Sequence, residues 1–180
     1  MTSTIDQTTP LDRLAGVLQA SAAALADAPA AAATISPRVR TRLIDGTPTG
    51  VRVRAGEHAF TIDEPAALGG DNTGANPIEH LLAALGACQV ISYQVWAAKL
   101  GLVIDDIDVQ ISGDLDVRGF FGIDPAVRPG FNAIRVDARI AGPEPRERYE
   151  ELTETVERYC PVLDVLTAGV PVTSQVSYRN

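Results

Sequence analysis

Hydrophobic positions change their spacing several times along the chain, and each change predicts an element. Leu11, Leu14, Val17, Leu18 and Leu25 recur at helical spacing among strong helix formers, which predicts an amphipathic N-terminal helix opened by Thr9-Pro10. Residues 1–8 are polar and are expected to fray. The stretch PAAAATISP at 29–37 is a low-complexity Ala/Pro linker, so residues 1–36 read as a helical extension and residues 37–180 as the main domain. From Val39 the pattern turns to alternation. VRTRLI, GVRVRA and HAFTID, separated by turns at Asp45-Gly46 and Gly56-Glu57, predict a three-stranded antiparallel meander. Period two puts Arg38, Arg40 and Arg42 on one face of the first strand and Arg52 and Arg54 on one face of the second. That face is expected to be solvated, with one arginine aimed at a chemical site as the sharper alternative.

A Gly- and Pro-rich loop over 64–77 delivers the chain to its central stretch, GANPIEHLLAALGACQVISYQVWAAKL, residues 74–100. Asn76 is a good N-cap, Pro77 suits the first helical position, and Glu79 completes a capping box. Ile78, Leu81, Leu82, Leu85, Cys88, Val95 and Trp96 recur at helical spacing, and alanines fill the other directions. A helix apolar nearly all round must be buried. Gly101 supplies a stop, and Lys99 favours the negative end of the dipole. Glu79, His80, Gln89, Tyr93 and Gln94 interrupt the apolar run, which favours a central helix of a soluble domain over a membrane span.

Beyond the helix, residues 102–117 alternate, with Val103, Ile107, Val109 and Ile111 apolar, and residues 131–142 do likewise; the two are expected to pair as a hairpin. The connection carries an exposed aromatic pair, Phe120-Phe121. Tyr149, Leu152, Val156 and Tyr159 mark the stripe of a further helix, which Cys160-Pro161 interrupts before a new one begins. The closing VPVTSQVSY alternates as a last strand.

Composition narrows the chemistry. A chain of 180 residues with 46% hydrophobic content supports one core. A net charge of −8 argues against nucleic-acid and anionic-membrane binding and leaves a small molecule or a protein as the partner. The N-terminal sequence has neither a basic nor an apolar signal region, so the cytoplasm is the expected compartment. There a cysteine pair is reactive, metal-binding or merely buried rather than a permanent disulfide. His58, His80, Cys88 and Cys160 lack zinc-finger spacing, and neither a metal nor a cofactor is expected. Cys88 stands 12 residues from the start of its helix, too far for that dipole to activate it, so another group must do so. Cys160, at a helix N-terminus, is placed for a lowered pKa. Such a pair suits a redox couple in which one thiolate attacks a peroxide oxygen and the second captures the sulfenic acid. The bland alternative is two small core hydrophobes.

The sequence N-P-x-E-x-L-L-A-A-L-G-A-C at 76–88, with Y-C-P-V at 159–162 and V-P-V-T-S-Q-V-S-Y at 170–178, resembles the OsmC/Ohr family of hydroperoxide-reducing proteins over roughly residues 39–178. The resemblance implies an α+β fold with antiparallel sheets wrapped around a long cysteine-bearing helix, in an intertwined homodimer. It also implies Cys88 as the attacking thiol, Cys160 as the resolving thiol, an organic hydroperoxide as substrate, and an external thiol or lipoylated protein as reductant. Two positions depart from the family pattern. The glutamate that follows N-P in the hydroperoxidases is Ile78 here, and the arginine that precedes the Asp-Gly turn is Ile44, which leaves Arg42 as the substitute candidate. A non-catalytic dimer that binds a small apolar ligand or senses oxidants is the alternative reading.

Overall fold

Local signals fix the ends of the central helix. In a computed structural model, which describes residues 9–178, helix α3 runs over Pro77–Leu100. The Asn76 side chain accepts from the Glu79 N–H, and the Glu79 carboxylate accepts from the Asn76 N–H, each at 2.8 Å, which satisfies two of the otherwise unpaired donors at the helix start. At the other end Gly101 adopts the left-handed region (φ 67°) and its N–H returns to the Ala97 carbonyl, a conformation glycine reaches without a Cβ clash. The expected fraying of residues 1–8 lies outside the described residues.

Before α3 come α1 (Pro10–Ala26), the single turn α2 (Ala30–Ala33) and strands β1 (Val39–Leu43), β2 (Val51–Ala55) and β3 (His58–Ile62). The strands form the expected antiparallel meander in the order β1-β2-β3. Its alternation sorts the side chains: Val53 is 3% exposed, and Phe60 opposes it across the ladder. Arg40, Arg42, Arg52 and Arg54 occupy the opposite face and are exposed, while β1 is exposed on both faces, with Val39 at 62% and Leu43 at 55%. The loop between β3 and α3 is tied by buried Asp63. Its carboxylate accepts from the Thr49 hydroxyl at 2.6 Å, the Glu64 N–H at 2.9 Å, the Asp71 N–H at 3.2 Å, and the hydroxyl and N–H of Thr73. The wrap is tight enough that a Cβ on Gly74 would lie 2.3 Å from the Thr61 carbonyl oxygen.

After α3, β4 (Asp106–Leu115) and β5 (Phe131–Ala141) form the expected hairpin, whose connection includes the single turn α4 (Val117–Phe120). Helices α5 (Arg146–Tyr159) and α6 (Pro161–Ala168) follow. The core gathers where α3, α5 and the hairpin meet: Tyr93, Ala97, Leu102, Leu152 and Val156 are buried, with Ile104, Ile107, Ile140, Trp96 and Tyr149 packed around them. Tyr149 donates to the Val103 carbonyl at 2.6 Å, and Tyr93 donates to Thr153 Oγ1 at 3.2 Å. Helix α1 lies against α3 with Leu11, Leu14 and Leu18 half-buried and no residue fully buried.

By length and composition α3 is apolar enough to cross a membrane. Its flanking α5, α6 and β4, and its buried Gln89, Ser92 and Tyr93, mark it as a core helix. One expectation fails. Residues 170–178 form no strand and are exposed, with Val172 and Tyr178 each at 88%. An alternating segment becomes a strand only beside an edge that pairs with it, and among the described residues of the single chain no edge does so.

Candidate active site

Two local choices bring the thiols together. Cys88 lies midway along α3. Pro161 disfavours helical geometry at the residue before it, so Cys160 (φ −75°, ψ 113°) ends α5 and begins α6 in one extended step. That corner turns its sulfur onto α3, and Cys160 Sγ lies 3.3 Å from Cys88 Sγ. Both are free thiols; Cys88 is half-buried and Cys160 buried. A disulfide would require an approach of only roughly 1 Å.

The group that acts on Cys88 comes from α6. Burial, the largest influence, pushes the Cys88 thiol above its ordinary value; the N–H of Val162 pulls it down, neighbouring Cys160 raises it, and the hydroxyl of Ser92 pulls it down. Val162 is the second residue of α6, where backbone N–H groups have no partner within the helix. From sequence that helix start belongs to Cys160; in the structure Cys160 makes no side-chain cap hydrogen bond, and the Val162 N–H favours the Cys88 thiolate. Ser92 stands one turn after Cys88 and is 8% exposed. Neither Ser92 nor Val162 was singled out from sequence. The i,i+4 spacing of Cys88 and Ser92 was a usable signal, whereas Val162 reaches the thiol only through tertiary folding.

The other polar candidates are elsewhere. Glu79 is engaged in the capping box. His80 stacks on Phe60, with ring centroids 5.2 Å apart, and its Nδ1 lies 3.0 Å from the Asn76 carbonyl, so it joins β3 to α3 as a partly buried histidine. Arg42 stands on the exposed face of β1, and no hydrogen bond or ion pair among the described residues joins it to either cysteine within the chain. Ile78 lines an apolar groove of about 450 Å3 with Leu81, Leu85, Phe131, Leu163 and Leu166, and Arg128 also borders it. Leu85 precedes Cys88 by one turn and Leu163 is three residues beyond Cys160, although neither cysteine lines the groove. Among the described residues no group of three or more His, Cys, Asp or Glu could hold a metal ion.

Comparison with known proteins agrees with this fold. The fold is similar to an OsmC-like protein from Mycoplasma pneumoniae (TM-score 0.63, 19% identity, covering 76% of this chain and 89% of that one). It is also similar to an organic hydroperoxide resistance protein OsmC from Legionella pneumophila (TM-score 0.57, 18% identity, 74% and 90%) and to an organic hydroperoxide resistance protein from Elizabethkingia anophelis (TM-score 0.57, 18% identity, 76% and 91%). No curated protein sequence matches the chain. The family model for OsmC-like protein matches residues 70–175, a span that takes in the central helix, both cysteines and the hairpin between them, and the chain belongs to the OsmC-like family.

Proposed function

We propose that the protein is a cytoplasmic, thiol-dependent peroxidase for organic hydroperoxides. The observation that carries this reading is the 3.3 Å separation of two free thiols, one on a core helix and one at a helix corner. In the first step the Cys88 thiolate attacks the distal peroxide oxygen, the O–O bond breaks, and the alkoxide leaves as an alcohol with a proton, so that Cys88 becomes a sulfenic acid. The Cys160 thiol then attacks that sulfur and a disulfide forms with loss of water. Two reducing equivalents from an external thiol or a lipoylated protein restore both thiols. Val162 and Ser92 hold the thiolate, the apolar groove beside Leu85 takes the organic part of the substrate, and no cofactor takes part. Arg42 belongs to this chemistry only if a second copy of the chain brings it to the thiols, as in an intertwined homodimer.

Stopped-flow mixing of the reduced protein with cumene hydroperoxide tests the reading. The parent is expected to consume peroxide, Cys160→Ser to accumulate a sulfenic acid, and Cys88→Ser to lose the fast reaction. A Cys88→Ser variant as fast as the parent would end the proposal. The raised Cys88 pKa and the apolar Ile78 and Ile44 favour a second reading, a dimer that senses oxidants or binds an apolar ligand without efficient turnover. A single stoichiometric oxidation of Cys88 with no steady-state consumption in the presence of dithiol would select it.

A further inference from the structure

One buried polar side chain on α3 has no role in the site described above. Gln89, next to Cys88, is 3% exposed, and its amide has no hydrogen-bond partner among the described residues. Every wholly enclosed side-chain nitrogen or oxygen among them does have one, so the Gln89 amide keeps a narrow opening. A buried amide without a partner costs free energy, and an apolar side chain of the same shape would pack there more stably. Its neighbours on the helix place it. Ser92, whose hydroxyl acts on the Cys88 thiol, stands three residues after Gln89 and shares its side of α3. Leu85, four residues before, lines the apolar groove, and side chains on a helix lean toward its N-terminal end. Gln89 thus stands between the groove wall at Leu85 and the hydroxyl at Ser92. The chain itself buries this side of α3: Leu85 is 1% exposed and Tyr93 2%. A second copy would bear on the other side, since exposed Ile91 is about 200° from Gln89 around the helix at 3.6 residues per turn.

We propose that Gln89 is a catalytic residue, its side-chain N–H donating to the peroxide oxygen that leaves with the organic group. The inference rests on the peroxidase reading above. As the Cys88 sulfur bonds to the distal oxygen, the O–O bond breaks and its electron pair goes to the oxygen attached to carbon. The amide holds the resulting alkoxide without giving up a proton, and water supplies the proton that makes the alcohol. With the organic part along Leu85 and the distal oxygen at Cys88, the oxygen between them falls to Gln89. A preorganised donor at the atom where charge develops is worth about 100- to 1,000-fold in rate. Ile78 and Ile44, in place of the glutamate and arginine, leave that donor to come from another element. A neutral amide can supply it from a buried wall where an unpaired charge would be costly.

Stopped-flow oxidation of the reduced full chain tests the proposal, with Gln89→Leu as the variant, which removes the amide and keeps a side chain of similar size. Cumene hydroperoxide releases an alkoxide and needs the donor; peracetic acid releases a carboxylate, which needs none. The variant is expected to react at least tenfold more slowly than the parent with cumene hydroperoxide and within twofold of it with peracetic acid. Alkylation of Cys88 by iodoacetamide is expected to stay within twofold, and the reduced variant to unfold at or above the parent's temperature. The loss is then one neither of folding nor of thiolate. Slowing of less than tenfold with cumene hydroperoxide, equal slowing with both oxidants, slower alkylation, or a variant that unfolds below the parent would overturn the proposal. A parent that leaves cumene hydroperoxide unreacted ends the peroxidase reading and this inference together; a parent that reacts, with a variant equally fast, ends this inference alone.

Discussion

At Cys88 two influences compete for one proton. Burial raises the thiol pKa, and the Val162 N–H and Ser92 hydroxyl resist that rise by favouring the thiolate. The rate of Cys88 alkylation is therefore expected to keep rising with pH beyond the ordinary thiol range near about 8.5. A hydrogen bond of about 0.5–1.5 kcal/mol is roughly 2- to 10-fold in thiolate population. Ser92→Ala should slow alkylation at pH 7 by about that factor and move the pH midpoint upward, while Ser92→Thr keeps most of the parental rate; an unchanged midpoint in Ser92→Ala would show that the hydroxyl does not act on the sulfur. Asp63 has the opposite sign. The Thr49 hydroxyl, then the Thr73 N–H, hold its carboxyl well below the usual range, so its contribution is present above about pH 4 and is lost as pH falls toward its folded value. Asp63→Asn should lower the melting temperature at pH 7 and flatten the loss of stability below pH 4. Calorimetry across that range checks both.

Among the elements, stability is unevenly spread. Leu152 of α5 is 0% exposed and packs with Tyr93 and Val156, whereas Leu25 of α1 is 50% exposed. Leu152→Ala should cost roughly 2–5 kcal/mol in urea unfolding, and Leu25→Ala about 0.5 kcal/mol or less. What could be read from sequence follows the same division between local and distant causes. Asn76, Glu79 and Gly101 bounded α3 because a cap acts within one turn, and Pro161 forced the corner at Cys160 because its ring restricts only the preceding residue. Alternation gave the meander, its arginine face and the β4–β5 hairpin. Residues 170–178 alternate just as well and form no strand, since pairing depends on an edge that no local pattern supplies. The partner of Cys88 was hidden for the same reason: the N–H of Val162 lies 74 positions away in sequence and meets the thiol only once α6 is docked.

For the whole molecule, one chain leaves much apolar surface in water. Ile91 on α3 is 62% exposed, Leu43 55%, Val172 88% and Val176 67%, although α3 was expected from its sequence to be covered on every side. A second copy would supply the missing cover. Sedimentation at micromolar concentration is expected to show a dimer, and Ile91→Glu a folded monomer; a monomeric parent would exclude the intertwined arrangement. The ring cluster at the end of α3 has a different consequence. Trp96 stacks on Tyr159 with centroids 4.8 Å apart, Lys99 Nζ sits 3.8 Å above the indole, and Tyr159 adjoins Cys160. Trp96 is the single tryptophan of the chain, so its ultraviolet emission comes from one chromophore stacked on the neighbour of Cys160. If the two thiols oxidise to a disulfide, Trp96 emission is expected to change as the bond forms, and a fluorescence titration with peroxide, with Cys88→Ser as the control, checks it.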